Sequence, residues 1–469
     1  MNKNKTVLIM GLGFHGGGVG AANYFTSKGA RVVITDLKSE NELKQSLELL
    51  KNKENLRFVL GKHYFDDFRN ADLIIKNPGV PWNSPYIRHA LDHGVPVETD
   101  IVIFLDKIGQ ITSNIIGVTG TKGKSTTASL LYRIFKIKYP DTLISGNITG
   151  SVFDIINQVK HNSYVILELS SFQLGGISSK GYRLHIGVFT NFMEDHLNYY
   201  LNMEDYFRDK SVLYRFQKRG DILVINRDNV VSNLVELPEE VELISFGLGS
   251  GFDGAGSFTQ KGKIYYRSKE KTDFIMDISS VKLTGKHNLY NVLAAVTAAY
   301  REGLTPREIE RGVSTFSGIE HRLEYIGSYK KCRFYNDSAA TTPDAAIQGI
   351  SSFSGNLTLI AGGSDKNLGL EAFTKTINKR VTRLILLEGT GTDRLMKEGL
   401  KKDYTVFDNL ENAVYDASRH TKSPGTVLLS PGFASFGMFN NEFHRGNEFK
   451  RLVLELIEKE KAHEKRQKS

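Results

Sequence analysis

One stretch decides the fold of this chain: Ile115-Ile-Gly-Val-Thr-Gly-Thr-Lys-Gly-Lys-Ser-Thr126. It runs from an apolar strand through two glycines into a segment, residues 127–132, that favours the start of a helix. Glycines at such a turn let backbone N–H groups face a phosphate, the lysine reaches the outer phosphates, and the serine hydroxyl binds Mg²⁺. Position 118 is valine, where the general pattern has its first glycine. We nevertheless predict a nucleotide-triphosphate loop.

Short β-rich runs alternate with amphipathic helices on both sides of this loop, which predicts an α/β chain with parallel sheets. Strands are predicted at residues 6–10, 31–35, 72–76, 115–119, 164–167, 186–189, 222–225, 357–361, 383–387 and 426–429, and helices at 40–51 and 291–301. Residues 229–282 predict a small antiparallel annex. The expected architecture has three domains: a Rossmann-like domain over 1–107, a P-loop ATPase-type domain with the annex over 108–318, and a Rossmann-like domain over 319–469.

Composition narrows the class of protein. The 469 residues suit about three domains of roughly 150 residues each. The 61 basic and 52 acidic residues are interspersed, which argues against a nucleic-acid partner despite the net charge of +9. No apolar run is long enough for a signal peptide or a membrane span, and the single cysteine, Cys332, fits a reducing compartment. We therefore expect a cytoplasmic protein, and a monomer.

Three further residues suggest a metal site. Glu168 ends a predicted buried strand, where a P-loop protein commonly holds a Mg²⁺ partner, although an isolated glutamate at a strand end is often only a surface residue. His196 closes Thr190-Asn-Phe-Met-Glu-Asp-His196, and a lone histidine is more often packed or exposed than a ligand. Lys210 follows 14 residues later (210 − 196), and its ammonium group cannot bind a cation.

Together, the loop Thr119-Gly-Thr-Lys-Gly-Lys-Ser-Thr126, the run Glu168-Leu-Ser-Ser-Phe-Gln173 and the segment ending at His196 resemble the Mur ligase family, which shares its shortened loop with folylpolyglutamate synthases. The resemblance implies two Mg²⁺ ions, with Mn²⁺ as an alternative, and carbamylation of Lys210 into an anionic oxygen ligand. A solvated helix lysine is the alternative reading of Lys210. The implied metal ligands are Ser125, Glu168, His196 and carbamylated Lys210, and the implied catalytic residues are Lys124, Glu168, His196 and Lys210.

The same resemblance implies a nucleotide site drawn from several segments. The His287-Asn-Leu-Tyr-Asn291 element would pack the adenine, and Asn291 is as readily a structural residue at a helix start. Arg322 offers a bidentate donor to phosphates, and Asp337 matches a residue that contacts ribose. The implied ATP-binding residues are Gly120, Thr121, Lys122, Gly123, Lys124, Ser125, Thr126, Asn288, Arg322 and Asp337.

The N-terminal glycines, Gly11-Leu-Gly-Phe-His-Gly16, precede Asp36 by 25 residues (36 − 11), which fits a dinucleotide fingerprint. A bare fingerprint is weak, and the resemblance implies that this domain binds UDP instead. The implied UDP-substrate residues are Gly13, Phe14, His15, Asp36, Pro78, Gly79, Asn147, Ser170 and Gln173. An NAD-dependent dehydrogenase and a non-catalytic UDP-sugar-binding protein are the non-ligase alternatives; the ATP loop disfavours the first and the complete set of implied catalytic residues the second.

A dicarboxylic amino acid needs a cation and hydroxyl donors for its side-chain carboxylate. The residues that resemble such a glutamate site are Thr341, Lys366, Ser435 and Phe436. Ala339, Thr342 and Gly437 depart from the pattern expected of glutamate-adding members.

The activity implied by the resemblance is ADP-forming ligation of glutamate, with D-glutamate favoured, to UDP-N-acetylmuramoyl-L-alanine in peptidoglycan precursor synthesis. The implied intermediate is an acyl phosphate, and the implied partners are these substrates and ATP. Addition of L-glutamate and folylpolyglutamate synthesis are the alternatives, the second disfavoured by the UDP-type glycines.

Overall fold

The computed structural model describes residues 5–13, 16–148, 150–196, 199–249, 251, 254–283 and 285–468. The chain forms two compact units, Met1–Phe316 and Ser317–Ser469. The first unit contains two sheets and the second contains one, so the predicted α/β class with three sheet-centred domains is confirmed. The domain limits at residues 107 and 318 stay a prediction.

The N-terminal sheet is fully parallel, with strand order β3-β2-β1-β4-β5. Its strands are β1 (Thr6–Met10), β2 (Arg31–Asp36), β3 (Leu56–Leu60), β4 (Leu73–Lys76) and β5 (Val97–Glu98). Its helices are α1 (Gly17–Ser27), α2 (Glu40–Glu48), α3 (Phe65–Arg69), α4 (Pro85–Asp92) and α5 (Asp100–Ile108). This is a Rossmann-like arrangement, in which the loop after β1 faces the crevice where ligands bind.

The central sheet has the order β14-β13-β12-β11-β10-β9-β6-β8-β7. Its strands are β6 (Ile115–Thr119), β7 (Leu143–Gly146), β8 (Val165–Glu168), β9 (Ile186–Phe189), β10 (Ile222–Asn226), β11 (Glu242–Gly247), β12 (Gly256–Gln260), β13 (Lys263–Arg267) and β14 (Thr272–Asp277). Its helices are α6 (Lys124–Lys138), α7 (Ser171–Ile177), α8 (Met203–Arg215), α9 (Val231–Leu234), α10 (Lys286–Arg301) and α11 (Pro306–Ser314). Because β6 is interior to the parallel part, the phosphate loop leaves the sheet with a strand on each side.

The predicted antiparallel annex is only partly separate from this sheet. Strands β12 to β14 are antiparallel, but β11 runs parallel to β10 and β12 runs parallel to β11, so the annex extends the central sheet. Gly256 begins β12 with φ at +133°, and a Cβ there would lie 1.7 Å from the Ser245 carbonyl oxygen. Only glycine fits this junction, and the alternating sequence pattern gave no sign of the parallel pairing.

The C-terminal sheet has the order β15-β16-β20-β17-β18-β19, parallel except for the β15–β16 pair. Its strands are β15 (Glu324–Tyr329), β16 (Cys332–Asn336), β17 (Asn356–Gly362), β18 (Arg383–Leu387), β19 (Tyr404–Phe407) and β20 (Gly425–Leu429). Its helices are α12 (Pro343–Ser351), α13 (Glu371–Arg380), α14 (Thr390–Lys397), α15 (Leu410–His420) and α16 (Glu442–Lys468). Two apolar clusters cover the two faces of the sheet, as expected of a Rossmann-like domain.

The N-terminal and central sheets belong to one unit because a single apolar cluster runs through both. Helix α1 lies against the short 3₁₀ helix Val152–Asp154, where the Tyr24 and Phe153 rings stack with centroids 4.5 Å apart. The backbones approach closely here, since a Cβ on Gly20 would lie 2.1 Å from the Ser151 Cβ. This packing fixes the N-terminal sheet to the central one.

Replacing Gly20 by alanine tests that packing. Alanine is favourable within a helix by roughly 0.5–1 kcal/mol, but the added methyl group collides with Ser151, so we expect a net loss of about 1–3 kcal/mol in the free energy of unfolding. Chemical denaturation measures the change. Gly251→Ala is the control, because a Cβ there meets nothing within 4 Å. Adding Ser151→Gly to Gly20→Ala should restore part of the lost stability, because it removes the side chain that the new methyl group meets. An unchanged unfolding midpoint in Gly20→Ala would contradict the close approach.

Candidate active site

The phosphate loop connects β6 to α6, and glycines permit its turns. Gly120 has φ at +145° and Gly123 has φ at +85°, both within the left-handed region. The Lys124 ammonium group folds back onto the loop and donates to the carbonyl oxygens of Gly120 and Thr121, each at 3.0 Å. Ser125 and Thr126 lie in the first turn of α6. The loop therefore has the form that the sequence predicted, with a lysine at its centre.

A neighbouring segment fixes the loop backbone. The side chain of Asn191 accepts from the Lys122 amide at 2.9 Å and donates to the Lys122 carbonyl at 2.9 Å, and Thr190 Oγ1 donates to the same carbonyl at 2.7 Å. A Cβ on Gly120 would lie 2.0 Å from Thr190 Oγ1, so this glycine is needed for space as well as for its φ. Asn191 was not among the predicted site residues, although its position in the segment that ends at His196 was a usable signal.

The start of α10 also packs against the loop. A Cβ on Gly123 would lie 2.2 Å from Asn291 Oδ1, and the Asn291 amide donates to Asn288 Oδ1 at 3.2 Å. The structure thus brings the predicted adenine-side residue Asn288 near the phosphate loop through Asn291. Asn291 has a structural role at this helix start.

Lys210, on α8, is buried and reaches the same loop. Its ammonium group donates to the Gly120 carbonyl oxygen at 2.9 Å and lies 4.7 Å from the centroid of the Tyr206 ring. Burial and the nearby Lys124 ammonium hold the pKa of Lys210 well below its usual value. A lowered pKa favours the neutral amine over the ammonium, and the neutral amine is the form that reacts with CO₂.

Aromatic rings surround His196, and one of them also contacts Lys210. Its ring centroid lies 5.2 Å from that of Phe172 and 5.7 Å from that of Tyr206, the same ring that contacts Lys210. Partial burial and the positive charges of Lys210, Lys124 and Lys122 lower the pKa of His196, although Asp195 opposes them. The backbone at His196 is left-handed, with φ at +58°. A neutral imidazole can ligate a metal ion.

Glu168 ends β8 directly beside β6, paired with Val118. Its side chain is buried, and Oε1 accepts from the Asn147 amide at 3.2 Å. Among the described residues Oε2 has no hydrogen-bond partner. A buried carboxylate oxygen without a donor is costly unless a cation binds it, so Glu168 fits a Mg²⁺ ligand.

Within the described part of the chain, no three His, Cys, Asp or Glu side chains are grouped as a metal site. The predicted ligand set contains only one acid and one imidazole, beside a serine and a modified lysine, so this finding does not test it. Carboxylate, hydroxyl and carbamate oxygens are donors that Mg²⁺ prefers. The residues present therefore fit the ion, while the ligand set and the number of ions stay predictions.

The N-terminal glycine loop rests on Asp36, at the end of β2. Asp36 Oδ2 accepts from the Leu12 amide at 2.9 Å and from the Gly13 amide at 3.5 Å. The run Asn77-Pro-Gly-Val80 fits the UDP interpretation, but Asn77 was not among the predicted contact residues; its side chain lies over the loop, 3.0 Å from a Cβ position on Gly11 and 3.1 Å from one on Gly13. Pro78 and Gly79 follow it in a turn closed by the Gly79 amide and Asn77 Oδ1 at 3.1 Å. These contacts bring four predicted UDP-site residues to one edge of the sheet.

Phe14 and His15, also predicted for this site, lie outside the described residues. The glycine loop continues at Gly16, where a Cβ would lie 3.7 Å from the backbone of Gly150. Gly150 belongs to the loop after β7, which also carries Asn147, the partner of Glu168. The loop after β7 thus meets the glycine loop at Gly150 and the buried acid at Asn147.

Ser170 and Gln173, predicted along the UDP substrate, have a local role at the start of α7. Ser170 Oγ accepts from the Gln173 amide at 3.2 Å, and Gln173 Oε1 accepts from the Ser170 amide at 3.1 Å. This is a reciprocal capping box. Its contact with substrate stays a prediction.

In the second unit, the four predicted amino-acid-site residues lie on three segments that are joined by hydrogen bonds. The Lys366 ammonium group donates to Thr341 Oγ1 at 3.0 Å. Ser364 pairs with Ala434 through two backbone hydrogen bonds, which places the segment of Lys366 beside that of Ser435. Ser435 Oγ is buried and has no partner among the described residues. Such a hydroxyl is suited to bind a polar group of a ligand. Phe436 follows it and is 43% exposed.

Arg445 is fully buried and joins the two loops that carry Thr341 and Ser435. Its guanidinium group donates to Ser338 Oγ at 3.0 Å, to the Ser338 carbonyl at 3.0 Å and to the Phe433 carbonyl at 3.3 Å. Burial lowers its pKa to about 9. This role could not be predicted from the sequence, because an arginine in a polar helix start usually reaches solvent.

Asp337 and Arg322, predicted to contact ATP, lie close to each other in the second unit. Asp337 is buried and accepts from Ser430 Oγ at 2.7 Å and from the Leu323 amide at 3.2 Å. Burial raises the pKa of its carboxyl group to about 7, although both hydrogen bonds and Arg322 oppose the change. Contact of either residue with ATP stays a prediction.

Comparison with known proteins agrees with the site. A Mur ligase MurD-like N-terminal domain matches residues 5–99, a Mur ligase middle domain matches 118–299, and a Mur ligase glutamate ligase domain matches 321–433. A UDP-N-acetylmuramoylalanine–D-glutamate ligase from Roseiflexus sp. (strain RS-1) is 39% identical over 96% of this chain and 98% of its own length. A ligase of the same name from Borreliella burgdorferi (strain ZS7) is 38% identical over 97% and 98%.

A phosphate loop joined to a buried acid, an imidazole and a low-pKa lysine defines an enzyme that uses a nucleoside triphosphate. The chain belongs to the Mur ligase family and is accordingly an amide-bond-forming ligase. Solved structures show the same fold: a UDP-N-acetylmuramate-alanine ligase from Thermotoga maritima aligns with a TM-score of 0.55 at 17% identity, over 96% of this chain and 99% of its own. Among the described helices none has the length and apolarity to cross a membrane.

Asp337 should make the stability of the second unit depend on pH. Its native pKa of about 7 exceeds the ordinary value of 3.8, so between these values the folded state keeps a proton that the unfolded chain has lost. The free energy of unfolding should therefore fall as pH rises from about 4 to 7, by on the order of 3–4 kcal/mol in total. Denaturation midpoints of Asp337→Asn measured across this range should lack the decline. The exposed Asp403→Asn should keep it, and identical pH profiles of wild type and Asp337→Asn would disprove the assignment.

Proposed function

We propose that this chain adds D-glutamate to UDP-N-acetylmuramoyl-L-alanine with conversion of ATP to ADP and phosphate. The observation that carries the proposal is the convergence of Lys124 and Lys210 on the Gly120 carbonyl, together with a buried Glu168 oxygen that has no partner in the described part of the chain. Two relatives at 38–39% identity over nearly the whole chain bear the name of this activity.

Formation of the acyl phosphate begins at the loop. Backbone N–H groups of residues 120–126 hold the phosphates of ATP, and the Lys124 ammonium leaves its two carbonyl partners to bind the transferred group. Ser125 and Glu168 would hold a Mg²⁺ ion, which would supply charge neutralisation at the phosphates. The substrate carboxylate attacks the γ-phosphorus, the bond to the β-phosphate oxygen breaks, and ADP leaves.

Lys210 contributes as a modified residue. Its neutral amine adds to the carbon of CO₂ and loses a proton, which gives a carbamate anion. The buried site favours this reaction because it already disfavours the ammonium form. The carbamate places a negative charge next to Lys124, and together with His196 it would hold a second metal ion.

Glutamate then reacts with the acyl phosphate. Its amine attacks the carbonyl carbon through a tetrahedral intermediate, the nitrogen loses a proton, and phosphate leaves with the electrons of the broken C–O bond. Lys366, Thr341 and the buried Ser435 hydroxyl hold the side-chain carboxylate of glutamate. Most of the rate acceleration comes from orientation of the reactants, worth up to roughly 7–11 kcal/mol.

The proposal includes the setting of the reaction. The enzyme works as a monomer in the cytoplasm, where ATP is abundant, and supplies peptidoglycan precursor synthesis. The single cysteine, buried and unpaired with another cysteine, is compatible with a reducing compartment.

Phosphate release measured with ATP, Mg²⁺, UDP-N-acetylmuramoyl-L-alanine and a panel of amino acids tests the function. We expect D-glutamate to be the preferred acceptor, and Lys124→Ala to lower turnover by at least about 10²–10³-fold because the transferred group loses its cation. Binding of the UDP substrate should survive in this variant. Lys138→Ala, at the exposed far end of the same helix, is the control. Preference for L-glutamate or lysine, or comparable turnover in Lys124→Ala, would refute the corresponding part of the proposal.

The carbamate on Lys210 can be detected directly. With ¹³C-bicarbonate, the wild-type enzyme should show a carbamate carbon signal by NMR that is absent from Lys210→Arg, because a guanidinium group stays charged and does not add to CO₂. The same variant should lose at least about 100-fold in turnover. Lys138→Arg should retain both signal and turnover. A signal that persists in Lys210→Arg would assign the modification elsewhere.

A further inference from the structure

Lys76 is a buried cation that the proposed reaction does not use. It is the last residue of β4 and is only 1% exposed. Strand β4 pairs with β1, and Lys76 stands opposite Met10, the residue that precedes the glycine loop. A buried lysine is unfavourable unless its ammonium group is bonded, so its partners indicate what it does.

The partners of Lys76 lie in the turn that follows it. Its ammonium group donates to the Val80 carbonyl at 2.8 Å and lies 3.5 Å from the Asn77 carbonyl. The same group lies 4.6 Å from the centroid of the Trp82 ring. Lys76 therefore contacts the turn of residues 77–82 at Asn77, Val80 and Trp82.

That turn determines the shape of the glycine loop. The Asn77 amide nitrogen bonds the carbonyl of Met10 at 2.9 Å, and the Asn77 side chain occupies the space beside Gly11 and Gly13. Either glycine would collide with Asn77 if it carried a side chain. A displacement of the turn would consequently displace Asn77 from the loop.

An acidic residue, Asp100, lies near the start of α1 and influences the pKa of Lys76. Asp100, at the start of α5, is buried and lies 3.4 Å from a Cβ position on Gly17, the first residue of α1. Burial lowers the pKa of Lys76 to about 8, and Asp100 opposes that change. Burial in turn raises the pKa of Asp100, and the charge of Lys76 opposes that change.

We propose that Lys76 is a positioning residue for the nucleotide end of the UDP substrate. Its ammonium group holds the turn of residues 77–82 so that Asn77 supports the glycine loop. The identity of the nucleotide rests on the proposed function. The phosphate loop and its lysine lie elsewhere in the unit and do not depend on this contact.

Lys76→Met tests the role, because methionine keeps an apolar stem of similar length and removes the charge. We expect the KM for UDP-N-acetylmuramoyl-L-alanine and the Kd for UDP, from titration calorimetry, to rise at least fivefold. The kcat and the KM for ATP should stay within twofold. Lys76→Arg, which keeps the charge and a donor, should recover most of the UDP affinity. Trp82 is the only tryptophan of the chain, so its fluorescence reports whether UDP alters the turn in the wild type.

Lys28→Met is the matched control, because Lys28 also lies over an aromatic ring, 5.6 Å from the Tyr24 centroid, but at the opposite end of α1. It should leave every constant unchanged. Equal rises in the constants for UDP and ATP, no rise in folded Lys76→Met, or equal loss in Lys76→Arg would each overturn the proposal. If Lys76→Met does not fold, Trp82→Leu should raise the KM for the UDP substrate alone, and an unchanged KM would overturn it. Wild-type protein that binds UDP but forms no ADP would refute the proposed function and leave the test of Lys76 intact.

Discussion

Two lysine ammonium groups share one carbonyl oxygen, and the chemistry of the first unit depends on that crowding. Lys124 and Lys210 approach Gly120 O at 3.0 and 2.9 Å. Burial and a nearby positive charge both disfavour an ammonium group, and the effect is larger on the more deeply buried lysine. Lys210 is the more buried of the two, so burial and the charge of Lys124 lower its pKa. Carbamylation would turn the repulsion into attraction, since it reverses one of the two charges.

The same loop depends on space as much as on conformation. Gly120 leaves room for Thr190, Gly123 for Asn291, and a Cβ on Gly146 would lie 2.1 Å from the Glu168 carbonyl oxygen. In each case glycine lets a neighbouring segment approach the nucleotide side of the sheet. These approaches bring α10, the His196 segment and the Asn147 loop to one place.

Much of this was predictable from the sequence because the chemistry lies in contiguous motifs at strand ends. Predicted strands such as residues 115–119 and 186–189 match β6 and β9 residue for residue. Motif spacing also singled out Lys210, which the structure places buried against the phosphate loop; its role as a metal ligand stays a prediction. The short and partly exposed strands β3 and β19 were missed, since they lack a long apolar run.

The residues that the sequence could not identify act through tertiary contacts. Arg445 and Lys76 bond backbone carbonyls of a distant loop or of the following turn, and no local pattern distinguishes such a side chain from a solvated one. Burial is what separates them, and burial of a charged group follows from the fold rather than from its neighbours in sequence. The parallel pairing of β11 with β12 was hidden for a similar reason: strand direction across a loop is set by the sheet it joins.

Within the first unit, the distance between the glycine loop and the phosphate loop is set by a shared core. The apolar cluster that runs through both sheets resists relative movement, because a packed interior deforms little. Asn147 is bonded to Glu168, and its loop meets Gly16 of the glycine loop through Gly150. In the proposed reaction, a substrate held by its nucleotide at one end would present its carboxylate at a fixed reach from Lys124. Formation of the acyl phosphate would then require little reorganisation of this unit, and the selection of substrate length would reside in its core packing rather than in any single polar contact.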